Sequence, residues 1–272
     1  MMARQVRVLV LTGNGINCEL ETAHACRLAG ADQVEVRYLW DLASGSSSLA
    51  GYGMVCLPGG FLDGDDLGSA RASAIRLRHT EVGGRRLVDQ FLSFVADGGL
   101  MIGICNGFQL MVKLGLLPAS GSGSGRQQVT LTWNDSGRFE DRWVHLAADP
   151  ESPCVFTRGL DRLQLPVRHG EGKIVLGPEA PLEALEAARQ IPLRYVHPET
   201  GEPTGQFPWN PNGSPGAIAA LTDPSGRLFG LMPHPEAFLH RTNHPRWTRE
   251  KLPEEGAGLA LFRNAVEFLR RS

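Results

Sequence analysis

The sequence predicts an α/β fold, with a mostly parallel sheet flanked by helices and a small additional antiparallel sheet. Three observations support this class: apolar strand-like runs alternate with helical patterns up to Leu117, further strand-like runs then follow without helices between them, and the chain closes with an amphipathic helical pattern. Alternating strands and helices favour parallel pairing with helices on both faces. The 272 residues, 42% of them hydrophobic, are expected to form a single domain over residues 1–272.

The first half of the chain supplies the expected parallel strands. Residues 6–11 form an apolar run, a turn containing Gly13 and Gly15 follows, and a helical pattern over residues 18–29 ends at Gly30. Further strands are predicted at residues 34–40, 54–57 and 100–104, with a helix at residues 87–96 before the last of them. This repeated strand-turn-helix order predicts the parallel arrangement.

Beyond Leu117 the pattern changes to strands alone. The predicted antiparallel strands, expected to form the smaller sheet, are residues 128–133, 138–146 and 163–169. An apolar run at residues 228–232 reads as a further strand, and residues 254–270 have the spacing of a terminal helix docked on the main sheet. Two segments made almost entirely of Ser and Gly, residues 44–48 and 120–125, are predicted to be surface loops.

Charge and composition argue against several function classes. With 27 basic and 29 acidic residues, the net charge of −2 leaves no electrostatic excess for binding nucleic acid or an anionic membrane surface. The cysteines are odd in number and lack C-x-x-C spacing, which favours a reducing compartment over disulfides or a zinc site; they are Cys18, Cys26, Cys56, Cys105 and Cys154. No apolar run is long enough for a signal-peptide core or a membrane span, so we expect a cytoplasmic protein.

A cysteine lies at a tight strand-to-helix turn. The segment Gly103-Ile-Cys105-Asn-Gly107-Phe-Gln109 follows the predicted strand at residues 100–104 and leads into a helical run at residues 108–114. Small residues at 103 and 107 permit a nucleophile elbow, in which the cysteine sulfur points at the amides of the helix N-terminus, where a thiolate is stabilised. Cys105 is therefore a candidate nucleophile, although a cysteine buried for packing alone fits the same pattern.

A histidine and a glutamate at another strand end are candidates for a base and its partner. The segment Met232-Pro-His234-Pro-Glu236 follows the apolar run at residues 228–232, and strand ends are where open α/β sheets hold their sites. His234 can accept a thiol proton and return it to a leaving group, while Glu236 holds the imidazole in one tautomer. An exposed rigid turn is the alternative, since a second His-Pro-Glu at residues 197–199 has no predicted strand before it. Another alternative is a metal site made of His234, Glu236, His240 and His244.

A glycine turn ends a third predicted strand. In Leu57-Pro-Gly-Gly60-Phe61 the glycines let the backbone approach a ligand and offer N–H groups to it. The backbone amides of Gly60 and Asn106 are therefore candidates for an oxyanion hole. An ordinary Pro-Gly turn is the alternative.

The glycine turn, the cysteine elbow and the later His-x-Glu, in this order, resemble class I glutamine amidotransferases, which implies a flavodoxin-like fold. More narrowly, nearly the whole chain resembles the family of glutaminase subunits of phosphoribosylformylglycinamidine synthase. The segments that carry this resemblance are Gly15-Ile-Asn-Cys-Glu19, Pro58-Gly-Gly-Phe61 with Gly64-Asp65, Gly103-Ile-Cys-Asn-Gly-Phe-Gln109, His169-Gly-Glu-Gly172, Asn210-Pro-Asn-Gly-Ser214 and Met232-Pro-His-Pro-Glu236. Among the departures, Ala237 stands where the family usually has Arg, and Leu62 and Asp63 replace a Ser-aromatic pair.

The resemblance implies roles for individual residues. Cys105 would be the nucleophile, His234 the general base and acid, and Glu236 the partner that orients His234. The implied substrate-binding residues are Gln109, Asn210, Asn212 and Ser214, with residues 210–214 and 169–172 forming a substrate wall or a partner-facing surface. Neither a metal nor a cofactor is expected in this chain.

The resemblance also implies a reaction and partners. Glutamine would be hydrolysed through a cysteine thioester, and its ammonia would pass to a synthetase subunit that makes formylglycinamidine ribonucleotide, with a small accessory subunit as a further candidate partner. ATP and Mg are expected at the synthetase, because this chain has no G-x-x-x-x-G-K-[ST] segment. Three alternatives stay open: another ammonia acceptor, a related cysteine hydrolase such as a peptidase, and a catalytically silent glutamine-binding scaffold.

Overall fold

A computed structural model of the protein describes residues 5–121 and 125–272. Residues 122–124 of the predicted loop at 120–125 therefore lie outside the described residues. The other predicted loop, residues 44–48, forms turns with mostly exposed side chains.

The strands and helices are as follows. The strands, in chain order, are β1 (Arg7–Thr12), β2 (Gln33–Tyr38), β3 (Met54–Leu57), β4 (Glu81–Val82), β5 (Arg85–Arg86), β6 (Leu100–Ile104), β7 (Val129–Thr132), β8 (Glu140–Ala148), β9 (Arg162–His169), β10 (Lys173–Leu176), β11 (Leu193–Tyr195), β12 (Ile218–Thr222) and β13 (Leu228–Leu231). The helices are α1 (Glu19–Leu28), α2 (Leu39–Ala43), α3 (Arg71–His79), α4 (Leu87–Ala96), α5 (Asn106–Leu114), α6 (Leu182–Ala187) and α7 (Leu259–Arg271).

One half of the main sheet is parallel. The strands lie in the order β2-β1-β3-β6-β13, and each neighbouring pair is parallel. Every residue of β3, β6 and β13 is buried, as expected of apolar runs with helices on both faces. Helix α1 packs on α7, while α3 packs on α4 and α5. The predicted α/β class with a helix-flanked parallel sheet is confirmed.

The other half of the main sheet is antiparallel and differs from the prediction in its membership. Strands β12, β11, β8 and β9 continue the sheet beyond β13. Only β7, of the three strands assigned to the smaller sheet, lies outside the main sheet, where it pairs with β10. The predictions that residues 138–146 and 163–169 are antiparallel strands and that a small additional antiparallel sheet exists are confirmed. The expectation that these two strands form the smaller, attached sheet was wrong, because the short strands β11 and β12, which the sequence did not predict, join them to β13.

The helices agree with the sequence where apolar periodicity is strong. Helix α4 has the predicted bounds, α5 begins two residues earlier than the predicted run, and α7 begins at Leu259 rather than at residue 254. Helix α3 was not predicted because its sequence, RASAIRLRH, carries few apolar residues. Among residues 5–121 and 125–272, no helix is both long and apolar enough to cross a membrane.

Candidate active site

The cysteine elbow is strained and tightly packed. Cys105 joins β6 to α5 with φ +49° and ψ −103°, a conformation that costs a non-glycine residue about 1–3 kcal/mol and that occurs most often at functional sites. A Cβ atom at Gly107 would lie 1.8 Å from the carbonyl oxygen of Leu57, and one at Gly103 would lie 2.8 Å from the carbonyl carbon of Gly107. Both positions therefore require glycine, and the packing holds the elbow in place.

The Cys105 side chain is only 5% exposed, yet it lines a cavity of about 550 Å³. Its sulfur donates a hydrogen bond to the Arg168 carbonyl oxygen at 3.6 Å. Gly60, Gln109 and Glu171 also line this cavity. A small molecule in the cavity would therefore reach the sulfur, the glycine turn and the first turn of α5 together.

A buried imidazole-carboxylate pair follows β13. The backbone N–H of His234 donates to the Pro166 carbonyl oxygen at 2.8 Å, and Nδ1 of His234 lies 2.6 Å from Oε1 of Glu236. The two side chains are 3% and 0% exposed. Burial lowers the pKa of His234, but the Glu236 carboxylate and then the Cys105 thiol raise it more, so that it lies well above its ordinary value. None of residues 5–121 and 125–272 forms a hydrogen bond with the Nε2 atom of His234, which leaves this atom available to exchange a proton.

The other histidines singled out from the sequence lie in different surroundings. At the second His-Pro-Glu, Nδ1 of His197 accepts a hydrogen bond from the Glu199 backbone N–H rather than contacting a carboxylate, and β11 does precede this segment. His240 contacts Glu254 at the surface, and His244 contacts Gln164. The suggested metal site of His234, Glu236, His240 and His244 is therefore not assembled.

The glycine turn is held against the elbow by the Asn106 side chain. Its oxygen accepts a hydrogen bond from the Leu62 backbone N–H at 2.9 Å, and its nitrogen donates to the Asp65 carboxylate and to Oε1 of Gln109. Gly60 must be glycine here, because a Cβ would lie 2.5 Å from the Gly15 carbonyl oxygen. Burial raises the pKa of Asp65, and hydrogen bonds from Ala70 and Asn106 oppose that rise.

The predicted substrate-binding residues fall into two groups. Gln109 lines the cavity, and its side-chain nitrogen donates to the Glu171 carbonyl oxygen at 2.5 Å. Asn210, Asn212 and Ser214 are 2%, 0% and 2% exposed and do not line the cavity. Their side chains bond to protein groups, since Asn212 donates to the Tyr195 hydroxyl at 3.1 Å and Ser214 accepts from the Ile174 backbone N–H at 3.0 Å. The segment 210–214 thus supports the wall from behind.

An exposed apolar rim surrounds the mouth of the cavity, and the sequence did not predict it. The rim consists of Phe61, Leu67, Trp133 and Phe139, which are 46%, 63%, 64% and 53% exposed and all line the cavity. The Phe61 and Phe139 rings lie 6.4 Å apart, and a Cβ at Gly170 would lie 3.7 Å from Trp133 and 3.9 Å from Phe139. Large apolar side chains grouped in this way are typical of a protein interface. Aromatic residues next to turn-forming residues were the signal available in the sequence.

Comparisons with known proteins find relatives over nearly the whole chain. The family model for the CobB/CobQ-like glutamine amidotransferase domain matches residues 5–269. The phosphoribosylformylglycinamidine synthase subunit PurQ of Dehalococcoides mccartyi is 45% identical over 267 residues, covering 98% of this chain and 99% of the relative. The subunit of the same name from Methanococcus maripaludis is 38% identical over 275 residues, covering 97% and 98%.

A solved structure agrees with these relatives. A chain in the structure of PurLQS from Thermotoga maritima matches with a TM-score of 0.70 and 25% sequence identity. The match covers 98% of this chain and 100% of that chain.

Proposed function

The chain belongs to the CobB/CobQ-like glutamine amidotransferase domain family, and from this premise we propose that it is the glutaminase subunit of phosphoribosylformylglycinamidine synthase. It hydrolyses glutamine to glutamate and ammonia. The ammonia goes to a synthetase subunit, which uses ATP to convert formylglycinamide ribonucleotide to formylglycinamidine ribonucleotide in purine biosynthesis. The observation that best supports the chemistry is the buried His234–Glu236 pair beside a strained cysteine elbow.

The proposed first half-reaction forms a thioester. The Cys105 sulfur bonds to the side-chain carboxamide carbon of glutamine, and the thiol proton passes to Nε2 of His234. The carbon-nitrogen bond then breaks and this proton leaves on the nitrogen, which departs as ammonia. Glu236 accepts the Nδ1 hydrogen, which keeps Nε2 available for the proton and stabilises the charged imidazole.

The second half-reaction uses water. A water molecule gives one proton to Nε2 of His234 as its oxygen bonds to the thioester carbon. The carbon-sulfur bond breaks, the proton returns to the sulfur, and glutamate leaves. We assign the backbone amides of Gly60 and Asn106 to the oxyanion that forms in each step, where one such donor contributes about 3 kcal/mol. Gln109 belongs to the substrate wall, and Asn210, Asn212 and Ser214 support it.

The fate of the ammonia requires a partner at the cavity mouth. Ammonia released into neutral water is mostly protonated, and the ammonium ion is not a nucleophile. We propose that the rim residues Phe61, Leu67, Trp133 and Phe139 dock the synthetase subunit, which also binds ATP and Mg and associates with a small accessory subunit. The five unpaired cysteines agree with a cytoplasmic location.

The rim assignment predicts a docking defect. Replacing Trp133 by Ala is expected to weaken binding of the purified synthetase by about 30-fold or more, because exposed aromatic anchors dominate interface energies. Trp247→Ala is the control, since Trp247 is 42% exposed and does not line the cavity. A titration followed by fluorescence anisotropy measures both affinities. Equal affinities for the two variants would remove the rim from the docking surface.

The proposed function itself is tested with two nitrogen sources. Wild type and Cys105→Ala are mixed with the synthetase, ATP, Mg and formylglycinamide ribonucleotide, and either glutamine or ammonium chloride is added. We expect the variant to lose at least about 10⁴-fold of the glutamine-dependent rate and to keep the ammonium-dependent rate. Glutamate release without amidine product would indicate another acceptor. Equal glutamate release by both proteins would contradict the role of Cys105.

A further inference from the structure

A third side chain of a type that can bind a metal, Cys18, lies close to the proposed catalytic pair His234 and Glu236. Ligand atoms of Cys18, His234 and Glu236 all lie within 4.8 Å of one another, and the residues are 8%, 3% and 2% exposed. Within the described parts of the chain, this is the one group of three or more His, Cys, Asp or Glu side chains gathered so closely. Cys18 immediately precedes α1, far in sequence from the other two residues.

The hydrolysis of glutamine leaves part of this cluster unused. Cys18 takes no part in it, and its sulfur donates a hydrogen bond to the neighbouring Asn17 side chain at 3.2 Å. Oε1 of Glu236 contacts His234, but Oε2 is buried and has no hydrogen-bond partner in the part of the chain that the structure describes. A buried carboxylate oxygen without a donor is costly, so such an atom in a native structure calls for a partner.

A glycine keeps the space between the thiol and the imidazole open. A Cβ at Gly59 would lie 3.4 Å from the Cys18 sulfur and 2.8 Å from Cε1 of His234. Any other residue would therefore crowd the approach of these two side chains.

We propose that Cys18, His234 and Glu236 bind a zinc ion that inhibits glutamine hydrolysis. Zinc takes thiolate, imidazole and carboxylate ligands in tetrahedral geometry at about 2.0–2.3 Å, so its ligand atoms lie about 3.3–3.8 Å apart. The ligand atoms lie within 4.8 Å of one another, so zinc binding requires the cluster to contract and the carboxylate to turn away from its 2.6 Å contact with Nδ1. The fourth position stays open to water.

Zinc in this position would stop the proton transfers that glutamine hydrolysis needs. Once the imidazole and Glu236 are ligands, the histidine no longer has the orientation and the carboxylate contact that the reaction requires. This inhibition rests on the proposed function, whereas the zinc site itself does not. In the complex, zinc is expected to suppress amidine formation from glutamine while leaving formation from ammonium chloride unchanged.

The test uses a chain that has no catalytic sulfur. Zinc binding to Cys105→Ala is measured by competition with a chromogenic chelator, and Cys18→Ala or Cys18→Ser is then added in the same background. We expect one zinc ion per chain in Cys105→Ala and an affinity at least about tenfold weaker in both double variants. Cys154→Ala in the same background is the matched control, because Cys154 is also buried and lies outside the cluster.

Cobalt distinguishes the ligands. Cobalt-loaded Cys105→Ala is expected to show a thiolate-to-metal charge-transfer band, which the Cys18 variants lose while keeping the native near-ultraviolet circular dichroism of the apo protein. Equal zinc affinity with and without Cys18 would overturn the proposal. So would zinc binding that occurs in wild type and disappears in Cys105→Ala, because the thiolate ligand would then be the catalytic one.

Discussion

Two buried imidazoles lie near the Cys105 cavity, one at the end of β13 and one at the end of β9. Nδ1 of His234 contacts the Glu236 carboxylate at 2.6 Å, whereas Nδ1 of His169 contacts the side-chain oxygen of Asn134 at 3.1 Å. The residues are 3% and 2% exposed. Burial lowers the pKa of both, and at His234 the Glu236 carboxylate, Cys105 and Cys18 together more than reverse this effect. Burial and the charge of His234 lower the pKa of His169 to about 3.

This difference indicates that the neighbouring groups, rather than burial alone, decide which of the two histidines has the raised pKa. His169 is neutral at physiological pH and acts in the structure as a donor to Asn134. The same Asn134 oxygen accepts the Gly172 backbone N–H at 3.0 Å, and its nitrogen donates to the His169 carbonyl oxygen at 2.8 Å. His169 therefore anchors the His-Gly-Glu-Gly turn, while His234 is equipped to move protons.

Glu236→Gln removes the difference between the two histidines, because it gives His234 a neutral carboxamide partner like that of His169. We expect glutamine-dependent turnover to fall by about 10³-fold or more, because the imidazole loses both its fixed tautomer and its charge stabilisation. The ammonium-dependent reaction in the complex should continue at the wild-type rate. Both rates are measured as amidine product in the same mixture.

The chain contains a matched control for this variant. His240 and Glu254 also lie 2.6 Å apart, but their side chains are 46% and 72% exposed. Glu254→Gln is expected to change glutamine-dependent turnover by less than about twofold, since exposed pairs contribute little. A loss of similar size in both variants would mean that burial of the pair is not what makes Glu236 effective.

Of the two histidines, the sequence predicts the site of His234 well. Small residues around Cys105 and an apolar run before His234 are local signals, and they mark strand ends that a parallel sheet brings to the same edge. The sequence does not reveal the partner of His169, because Asn134 and His169 are 35 residues apart in the chain and strand β8 and the rest of strand β9 lie between them. Likewise, only the folded chain brings Cys18 to His234.

The sequence also did not predict how the strands pair in the antiparallel half of the main sheet. Strand β11 has only three residues, too few for a periodic signal, and without it the sequence does not indicate that β8 and β9 join the main sheet through β12. The polar segment 210–214 shows a similar ambiguity. Glycine and asparagine favour an exposed turn or a ligand-binding loop equally, and only the bond from Asn212 to buried Tyr195 shows that the segment supports the interior.

His169→Gln tests the other histidine, because it removes the imidazole whose pKa is lowered to about 3. In the unfolded chain this group has a pKa near 6.5, so between about pH 6.5 and pH 3 the unfolded state binds a proton that the folded state does not. His169 therefore makes stability fall as pH decreases through this range. At pH 5 the loss relative to pH 8 is about 2 kcal/mol of unfolding free energy.

Urea titrations at pH 8 and pH 5 measure this contribution. We expect the decrease in unfolding free energy between the two values to be smaller in His169→Gln than in wild type by about 2 kcal/mol, because glutamine can donate to Asn134 without titrating. His24→Gln, which replaces an exposed imidazole, should show the wild-type decrease. If the His169 variant also showed the wild-type decrease, His169 would be protonated in the folded protein, and the Asn134 carboxamide would be as compatible with an imidazolium as the Glu236 carboxylate is.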